Sequence, residues 1–168
     1  MTIEQKIRIL DIILALIGVL IVLPIFVPIA ILLKLTGEGK IIYMQERVGH
    51  RGNRFGLIKF ATMYENSPSI GTGDITIKND PRVLPVGKVL RKTKVNELPQ
   101  LFNILKGDMT FVGFRPHTPN ALQNYSEAQV QLVTQLKPGL TGYGSLEFSD
   151  EENLLPDDPI EAMAYYKN

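Results

Sequence analysis

The feature that most constrains this chain is an apolar run from Ile9 to Leu33, in which Asp11 is the only charged residue. Coiled as one helix, the run measures roughly 37 Å, enough to cross a hydrocarbon core of about 30 Å. It is too long for the apolar part of a signal peptide, and no small-x-small cleavage site follows it. The run therefore predicts a membrane-inserted anchor, which we place at residues 1–35.

Two prolines inside the run bear on whether the helix spans the membrane or turns back. Pro24 and Pro28 each lack the N–H that would bond a carbonyl four residues earlier. Basic residues precede the run at positions 6 and 8 and follow it at positions 34 and 40. Positive flanks favour the cytoplasmic side for both ends. We expect a re-entrant helix broken near Pro24, with a kinked spanning helix as the alternative, because transmembrane helices tolerate proline.

The remainder, residues 36–168, is expected to be one small cytoplasmic domain. The chain has a net charge of +1, which argues against a nucleic-acid partner. It contains no cysteine, which excludes disulfides, thiolate catalysis and cysteine zinc sites. It has two histidines, too few for a histidine metal cluster. Any metal would be a hard, oxygen-liganded ion such as Mg²⁺.

Local patterns predict a mixed α/β fold that is mostly helical, with amphipathic interfacial helices and short strands. Strands are expected over 41–44, 55–60 and 110–112, the first two separated by a turn at 50–53. A short helix is expected over 87–93. Leucine and phenylalanine at positions 98, 101, 102 and 105 recur at helical spacing. We expect Asn96 to cap that helix and Gly107 to end it.

Several residues are candidates for binding phosphate. No acid occurs between Asp80 and Glu97, a stretch that holds five basic residues: Arg82, Lys88, Arg91, Lys92 and Lys94. Such a face suits a diphosphate or anionic lipid headgroups, the alternative being a solvated basic surface. Arg115, locked before Pro116, has the geometry of a bidentate phosphate ligand, although a surface arginine in a turn is an equal alternative. The start of the amphipathic helix, with Glu97 close by, suggests a phosphate and metal site.

Seven segments of the chain together resemble the small monotopic phosphoglycosyl transferases among the bacterial sugar transferases. They are Gln45–Gly49, Lys59–Met63, Leu90–Thr93, Glu97–Leu101, Lys106–Met109, Val112–Pro116 and Lys137–Gly142. They follow the family order from the anchor to about residue 155, nearly the whole chain. The family's N-terminal helix, broken at a proline and dipping into one leaflet, resembles the segment around Pro24. Family members commonly continue past the helix predicted from Pro159, so a further C-terminal element is expected.

The resemblance implies an activity and a location. Such enzymes move a sugar 1-phosphate from a nucleotide diphosphate sugar, usually a UDP-sugar, to polyprenyl phosphate. They use Mg²⁺ and release UMP, and this step initiates surface glycan assembly. The resemblance places the chain among membrane lipids on the cytoplasmic face of a bacterial inner membrane. A homodimer or a contact with downstream glycosyltransferases is compatible with it.

The resemblance also implies roles for individual residues. In the family an Asp-Glu pair opens the helix of the central motif, and the Asp attacks the β-phosphate to form a covalent intermediate. Carried over by position, Glu97 and Asn96 are the catalytic and metal-binding candidates. The residues expected at the substrate phosphates are Arg91, Arg115, Pro116, Lys59, Arg82 and Lys88.

Three positions depart from the family pattern. Asn96 stands where the family has Asp, Ala61 replaces an arginine, and Phe114 replaces the first proline of Pro-Arg-Pro. An amide is neutral and a very poor nucleophile, so the covalent mechanism does not carry over unchanged.

Four explanations of the Asn96 position stay open, one of which is a deliberate Asp-to-Asn substitution that traps the enzyme. Glu97 takes over the nucleophilic or metal-binding role, or another carboxylate such as Asp108 or Asp80 approaches. Alternatively, the chain is a catalytically impaired relative that binds sugar nucleotide or polyprenyl phosphate, or assists a partner enzyme.

Overall fold

The computed structural model describes residues 1–71, 76–77, 79–147 and 161. The acidic stretch at 150–152 and the helix predicted from Pro159 fall outside these residues, except for position 161, which is helical. The helices are α1 (Ile3–Leu35), α2 (Pro85–Lys92), α3 (Gln100–Lys106), α4 (Pro119–Leu122), α5 (Glu127–Thr134) and α6 (Tyr143–Glu147). The strands are β1 (Ile42–Val48), β2 (Arg54–Phe60), β3 (Thr110–Val112) and β4 (Gly139–Thr141). The mixed α/β class is confirmed, with more helix than strand.

The anchor is a single helix, α1. It begins with a capping box, in which the Thr2 hydroxyl accepts from the Gln5 amide and the Gln5 side chain accepts from the Thr2 amide. It continues through Pro24 and Pro28 without interruption and is long and apolar enough to cross a membrane. The break expected near Pro24 is therefore absent. A proline removes one hydrogen bond, and packing of the neighbouring turns can keep such a helix continuous.

The N-terminal half of α1 is tied to the polar domain by charged side chains. Arg8 donates to the carbonyl oxygens of residues 104 and 105 at 2.5 and 2.7 Å, which satisfies the C-terminal end of α3. Asp11 is buried and accepts from the Thr110 hydroxyl at 3.0 Å and the Phe111 amide at 3.2 Å. The one acid of the apolar run thus holds the start of β3.

Two hydrophobic clusters continue this contact along α1. The first comprises Ala15, Leu57, Leu101, Ile104 and Met109, and the second comprises Ile29, Leu33, Phe60 and Leu90. Each fully buried aliphatic or aromatic side chain contributes about 1.5–3 kcal/mol. The Phe26 ring adds contacts with Phe60 and Phe102. One stripe of α1 therefore faces the domain from near its beginning to near its end, and its other faces expose apolar side chains.

The strands form two small sheets. β1 and β2 pair antiparallel from Ile42 opposite Phe60 to Val48 opposite Arg54, which confirms the predicted hairpin. Its turn contains Arg51 at φ 56° and Gly52 at φ 76°, the left-handed conformation that reverses the chain in a few residues. β3 and β4 pair in parallel, with residue 110 opposite 139 and residue 112 opposite 141.

The segment between α2 and α3 differs in one respect from the expectation. The short helix is confirmed as α2, and Gly107, at φ 93°, ends α3 as predicted. Asn96, however, does not cap α3. It lies inside the 3-10 turn Val95–Glu97 and is buried, and α3 starts after Pro99 with no side-chain cap. The side chain was expected to bond helix amides, but the turn buries it beside the cleft described below.

Candidate active site

An open cleft of about 960 Å³ lies among the β1–β2 hairpin, the loop after β2, α2 and the Val95–Glu97 turn. Its described lining includes most of the residues predicted from the sequence: Lys59, Lys88, Arg91, Asn96, Glu97 and Arg115. These come from four separate parts of the chain. The fold therefore brings together side chains that no local pattern places in one site.

Lys59 is central to the electrostatics of the cleft. Its pKa is lowered from 10.5 to about 8, mainly by burial; the Glu97 carboxylate opposes this shift, and the nearby cations Arg47, Arg115 and Arg91 add to it. Its ammonium and these guanidinium groups are close enough to influence one another. A cluster of this kind suits a ligand that carries several negative charges.

The basic residues of α2 lie at the wall of the cleft. Arg91 is half-buried, and its Nη1 lies 3.9 Å from the Met63 sulfur. Lys88, one turn earlier on the same helix, is exposed and also lines the cleft. Both positions agree with the expected phosphate contacts, which stay predictions.

Arg115 and Pro116 have different positions. Arg115 is exposed and lines the cleft, whereas Pro116 is buried and does not. The carbonyl oxygen of Pro116 accepts from Arg47 Nη1 at 2.8 Å, and the next carbonyl, of His117, accepts from the Val48 amide at 2.9 Å. Pro116 therefore shapes the turn that presents Arg115, and it offers no N–H to a phosphate.

Arg82 has a different environment from the one expected. It is buried, pairs with Asp80 at 2.7 Å, and donates to the carbonyl oxygens of Ser67 and Ile70 at 2.8 and 2.9 Å. Burial alone raises the pKa of Asp80, but hydrogen bonds from Arg82 hold it below its ordinary value. Arg82 is not among the described residues that line the cleft. This pair fixes the loop after β2, so we assign Arg82 a structural role in place of the expected phosphate contact.

Asn96 and Glu97 face the same cleft, and Asn96 is the more buried. The Asn96 side chain is 5 % exposed, and its Oδ1 has no hydrogen-bond partner among the described residues. A buried acceptor left unpaired costs about 1–3 kcal/mol. An unpaired acceptor in the wall of a cleft is available to a ligand or to a group that the ligand brings.

A divalent metal fits these residues only in part. Within the described ranges, no group of three or more His, Cys, Asp or Glu side chains is placed to hold an ion. The Glu97 carboxylate and the Asn96 Oδ1 are hard oxygen donors, the kind that Mg²⁺ uses together with substrate phosphates. The residues therefore fit a Mg²⁺ ion held jointly with a diphosphate, and they do not form a complete metal cage.

Arg47 was not predicted as a site residue. It lies on β1, lines the cleft and contacts the turn after Arg115. A basic residue in a strand carries no local sign of function, because strand alternation gives it an exposed or a buried face with equal ease. At the departing positions, Ala61 is buried in the cleft wall and Phe114 is 44 % exposed.

Comparisons with known proteins identify the family of this chain. The family model described as bacterial sugar transferase matches residues 4–168. The undecaprenyl-phosphate glucose phosphotransferase of Komagataeibacter xylinus is 34% identical over 140 residues, 80% of this chain and 26% of its own length. The undecaprenyl-phosphate galactose phosphotransferase of Salmonella typhimurium is 40% identical over 124 residues, 65% of this chain and 26% of its own.

A third relative transfers another sugar. The UDP-N-acetylgalactosamine-undecaprenyl-phosphate N-acetylgalactosaminephosphotransferase of Aeromonas hydrophila is 37% identical over 140 residues, 82% of this chain and 33% of its own length. The chain thus spans about a quarter to a third of the length of these three relatives. Because the family model covers the chain from residue 4 to its last residue, the chain belongs to the bacterial sugar transferase family.

Proposed function

We propose that this chain transfers a sugar 1-phosphate from a UDP-sugar to undecaprenyl phosphate and releases UMP, the step that begins assembly of a surface glycan. One observation carries the proposal. The Glu97 carboxylate and the buried Asn96 acceptor share a cleft with Lys59, Arg91 and Arg115, and Phe60 in the cleft lining packs against the apolar helix α1. The relatives' names include undecaprenyl phosphate with glucose, galactose or N-acetylgalactosamine, which supports the acceptor and leaves the sugar open.

The transfer changes one bond at the β-phosphorus of the donor. The bond from this phosphorus to the oxygen bridging the two phosphates breaks, and UMP leaves with the electron pair. A bond from an oxygen of the acceptor phosphate to the same phosphorus forms, directly or after attack by an enzyme carboxylate. The product is a polyprenyl diphosphate sugar.

The residues of the cleft act on charge and position during this exchange. Arg91 and Arg115 hold phosphate oxygens, and Lys59 neutralises charge that develops on the leaving phosphate. Mg²⁺, held by the Glu97 carboxylate, the Asn96 Oδ1 and the diphosphate, would withdraw charge from the phosphoryl oxygens.

Glu97 is the carboxylate best placed to act on the substrate. Of the other acids in the described lining, Asp80 is engaged by Arg82, Glu65 pairs with Lys40, and Glu38 accepts from the Glu65 amide. Asp108 accepts from Asn103 Nδ2 at 3.2 Å and does not line the cleft. Asn96 cannot supply a nucleophilic carboxylate. Glu97 therefore takes the anionic role at the transferring phosphorus, as a nucleophile or through the metal.

For location, we propose the cytoplasmic face of a bacterial inner membrane, with both ends of α1 on that side. The support is that Arg8, near one end of α1, and Leu33, near the other, both contact the same polar domain. A helix that spanned the membrane would carry one of these contacts to the far side. The apolar side chains on the remaining faces of α1 then lie in one leaflet.

The label of the β-phosphate tests the proposed reaction. The native chain in detergent is mixed with Mg²⁺, undecaprenyl phosphate and UDP-sugars carrying ³²P at the β-position, with glucose, galactose and N-acetylgalactosamine as the sugars. The proposal predicts ³²P in the lipid extract for at least one of them. Sugar transfer that leaves ³²P in the aqueous UDP would contradict phosphosugar transfer. Binding of UDP-sugar with no label in lipid would favour an impaired relative.

A further inference from the structure

Gln45–Gly49 and Lys137–Gly142 are among the sequence motifs that have no role in the proposed reaction. In the structure both contact one short segment, residues 113–117, which includes Arg115. They reach it from different elements, β1 and β4. Both motifs therefore contact the turn that carries Arg115.

On the β4 side, three glycines meet at distances that exclude any side chain. A Cβ on Gly139 would lie 2.1 Å from the Gly113 nitrogen, and a Cβ on Gly142 would lie 2.2 Å from the Gly113 oxygen. In the opposite direction, a Cβ on Gly113 would lie 2.6 Å from the carbonyl oxygen of residue 137. None of the three glycines has a positive φ. Glycine is required here for space and not for an unusual backbone conformation.

Backbone hydrogen bonds join the same segments. The Gly113 amide donates to the Thr141 carbonyl at 2.9 Å, and the Gly139 amide donates to the Phe114 carbonyl at 2.8 Å. Residues 113 and 114 are thus held against β4 by direct backbone contact. Arg115 follows at once, so the close approach of the glycines sets the position of its backbone.

On the β1 side, Arg47 and the neighbouring backbone hold the other end of the segment. Arg47 Nη1 donates to the Pro116 carbonyl at 2.8 Å, and Nη2 donates to Gln45 Oε1 at 2.6 Å. The Val48 amide donates to the carbonyl of residue 117 at 2.9 Å. Because β1 pairs with β2, where residue 43 lies opposite Lys59, this contact relates the turn to the lysine of the cleft.

We propose that Gly142 and Arg47 are positioning residues for Arg115. Together they form a clamp, Gly139–Gly142 on one side and Arg47 on the other, that sets where the Arg115 guanidinium meets the substrate diphosphate. The inference rests on the proposed function, because it assumes that Arg115 contacts that diphosphate. It gives Gln45–Gly49 and Lys137–Gly142 one shared role.

Gly142→Ala is the direct test, and the probe is UDP with Mg²⁺, measured by isothermal titration calorimetry on the whole chain in detergent. The added methyl forces β3 and β4 apart and moves the turn. UDP affinity should fall about tenfold or more, because a charge-assisted bidentate contact loses its geometry. Gly144→Ala is the matched control, since a Cβ at Gly144 meets nothing within 4 Å. It should change affinity by no more than about twofold.

A double substitution separates positioning from general stability. In the Arg115→Ala background, Gly142→Ala should cost no more than about twofold further, because the group it positions is gone. Equal losses in both backgrounds, or an unchanged affinity of Gly142→Ala alone, would overturn the inference. If the native chain binds no UDP, the proposed function fails together with this inference. If the native chain binds UDP but the Gly142 results differ from those expected, only this inference fails.

Arg47→Lys provides a second route if Gly142→Ala does not fold. Lysine keeps the positive charge but lacks the planar fork through which Arg47 reaches Pro116 and Gln45 with two separate nitrogens. UDP affinity should fall about fivefold or more in the native background and by less than about twofold in the Arg115→Ala background. A loss that persists without Arg115 would show that Arg47 acts on the ligand itself, and would overturn the positioning role.

Discussion

Asn96 and Glu97 are adjacent in the chain, but their side chains have different capacities in the cleft. The Asn96 amide is buried, neutral and lacks a partner for Oδ1, whereas Glu97 carries a charge felt by Lys59. A neutral acceptor can orient a ligand or share a metal, and a carboxylate can also attack phosphorus. We therefore propose that Asn96 orients the ligand and that Glu97 carries out the chemistry.

We predict that substrate binding depends on pH because Lys59 titrates. Its pKa is lowered to about 8 by burial and nearby cations, so it loses its proton as pH rises through that value. UDP affinity should therefore fall above about pH 8, and Lys59→Arg should remove this step because arginine stays charged. Calorimetric titrations between about pH 7 and 9 measure it. The same pH dependence in both proteins would contradict the assignment.

We predict that replacing Arg91 or Arg115 by lysine lowers UDP affinity even though the positive charge is kept. Replacing either by lysine keeps the charge but removes the bidentate donor pair, worth about 1.5–3 kcal/mol in a charge-assisted contact. UDP affinity should fall accordingly. Arg54→Lys is the control, because Arg54 forms an exposed ion pair with Glu46 outside the cleft. If both cleft variants bind UDP like the native chain, these arginines are surface charges only.

At the scale of elements, local patterns predicted more of the strands than of the helix ends. The hairpin followed from strand propensity on either side of a glycine-containing turn at residues 50–53. Asn96 was wrongly predicted to cap α3. Capping depends on the direction of the side chain, and the Asn96 side chain is buried in the 3-10 turn and lines the cleft. The burial of Arg82 was not predicted, because no sequence pattern shows that Asp80, two residues earlier, pairs with it.

We predict that removing the Asp11 carboxylate, which joins α1 to β3, lowers the stability of the protein. Asp11→Ala leaves the Thr110 hydroxyl and the Phe111 amide without their acceptor, at a cost of about 1–3 kcal/mol. Thermal unfolding in detergent should show a lower midpoint. Glu4→Ala, at an exposed position near the start of the same helix, should leave it nearly unchanged. Equal midpoints for the two variants would show that the Asp11 contacts contribute little.

Because both ends of α1 contact the polar domain, we predict that both lie on the same side of the membrane. Because the chain has no cysteine, single cysteines at Glu4 and Glu38 are clean reporters of each end. In sealed inverted vesicles, both should react with an impermeant maleimide added from outside, since both ends lie on the domain side. Reaction of only one would contradict the same-side arrangement and favour a spanning helix.

At the scale of the whole molecule, the site is a product of folding that sequence patterns reach only residue by residue. The basic stretch around Arg91 and the turn arginine Arg115 each had a solvated surface as an alternative explanation, whereas Lys59 was a candidate only through the family resemblance. In the structure these side chains line one cleft, and the chain belongs to the bacterial sugar transferase family. The position of Asn96 and the role of Arg47 depend on packing between distant segments, and so no local spacing predicts them.

The most direct measurement is the release of UMP by the native chain, with UDP-sugar, Mg²⁺ and undecaprenyl phosphate, beside Glu97→Gln, Asn96→Ala and Asn96→Asp. We predict release that requires the lipid phosphate, falls by about a hundredfold or more in Glu97→Gln, and survives in part in Asn96→Ala. A native chain that is inactive until Asn96→Asp restores the carboxylate would contradict this account. Native turnover that survives Glu97→Gln would contradict it too, and would move the chemistry to another carboxylate.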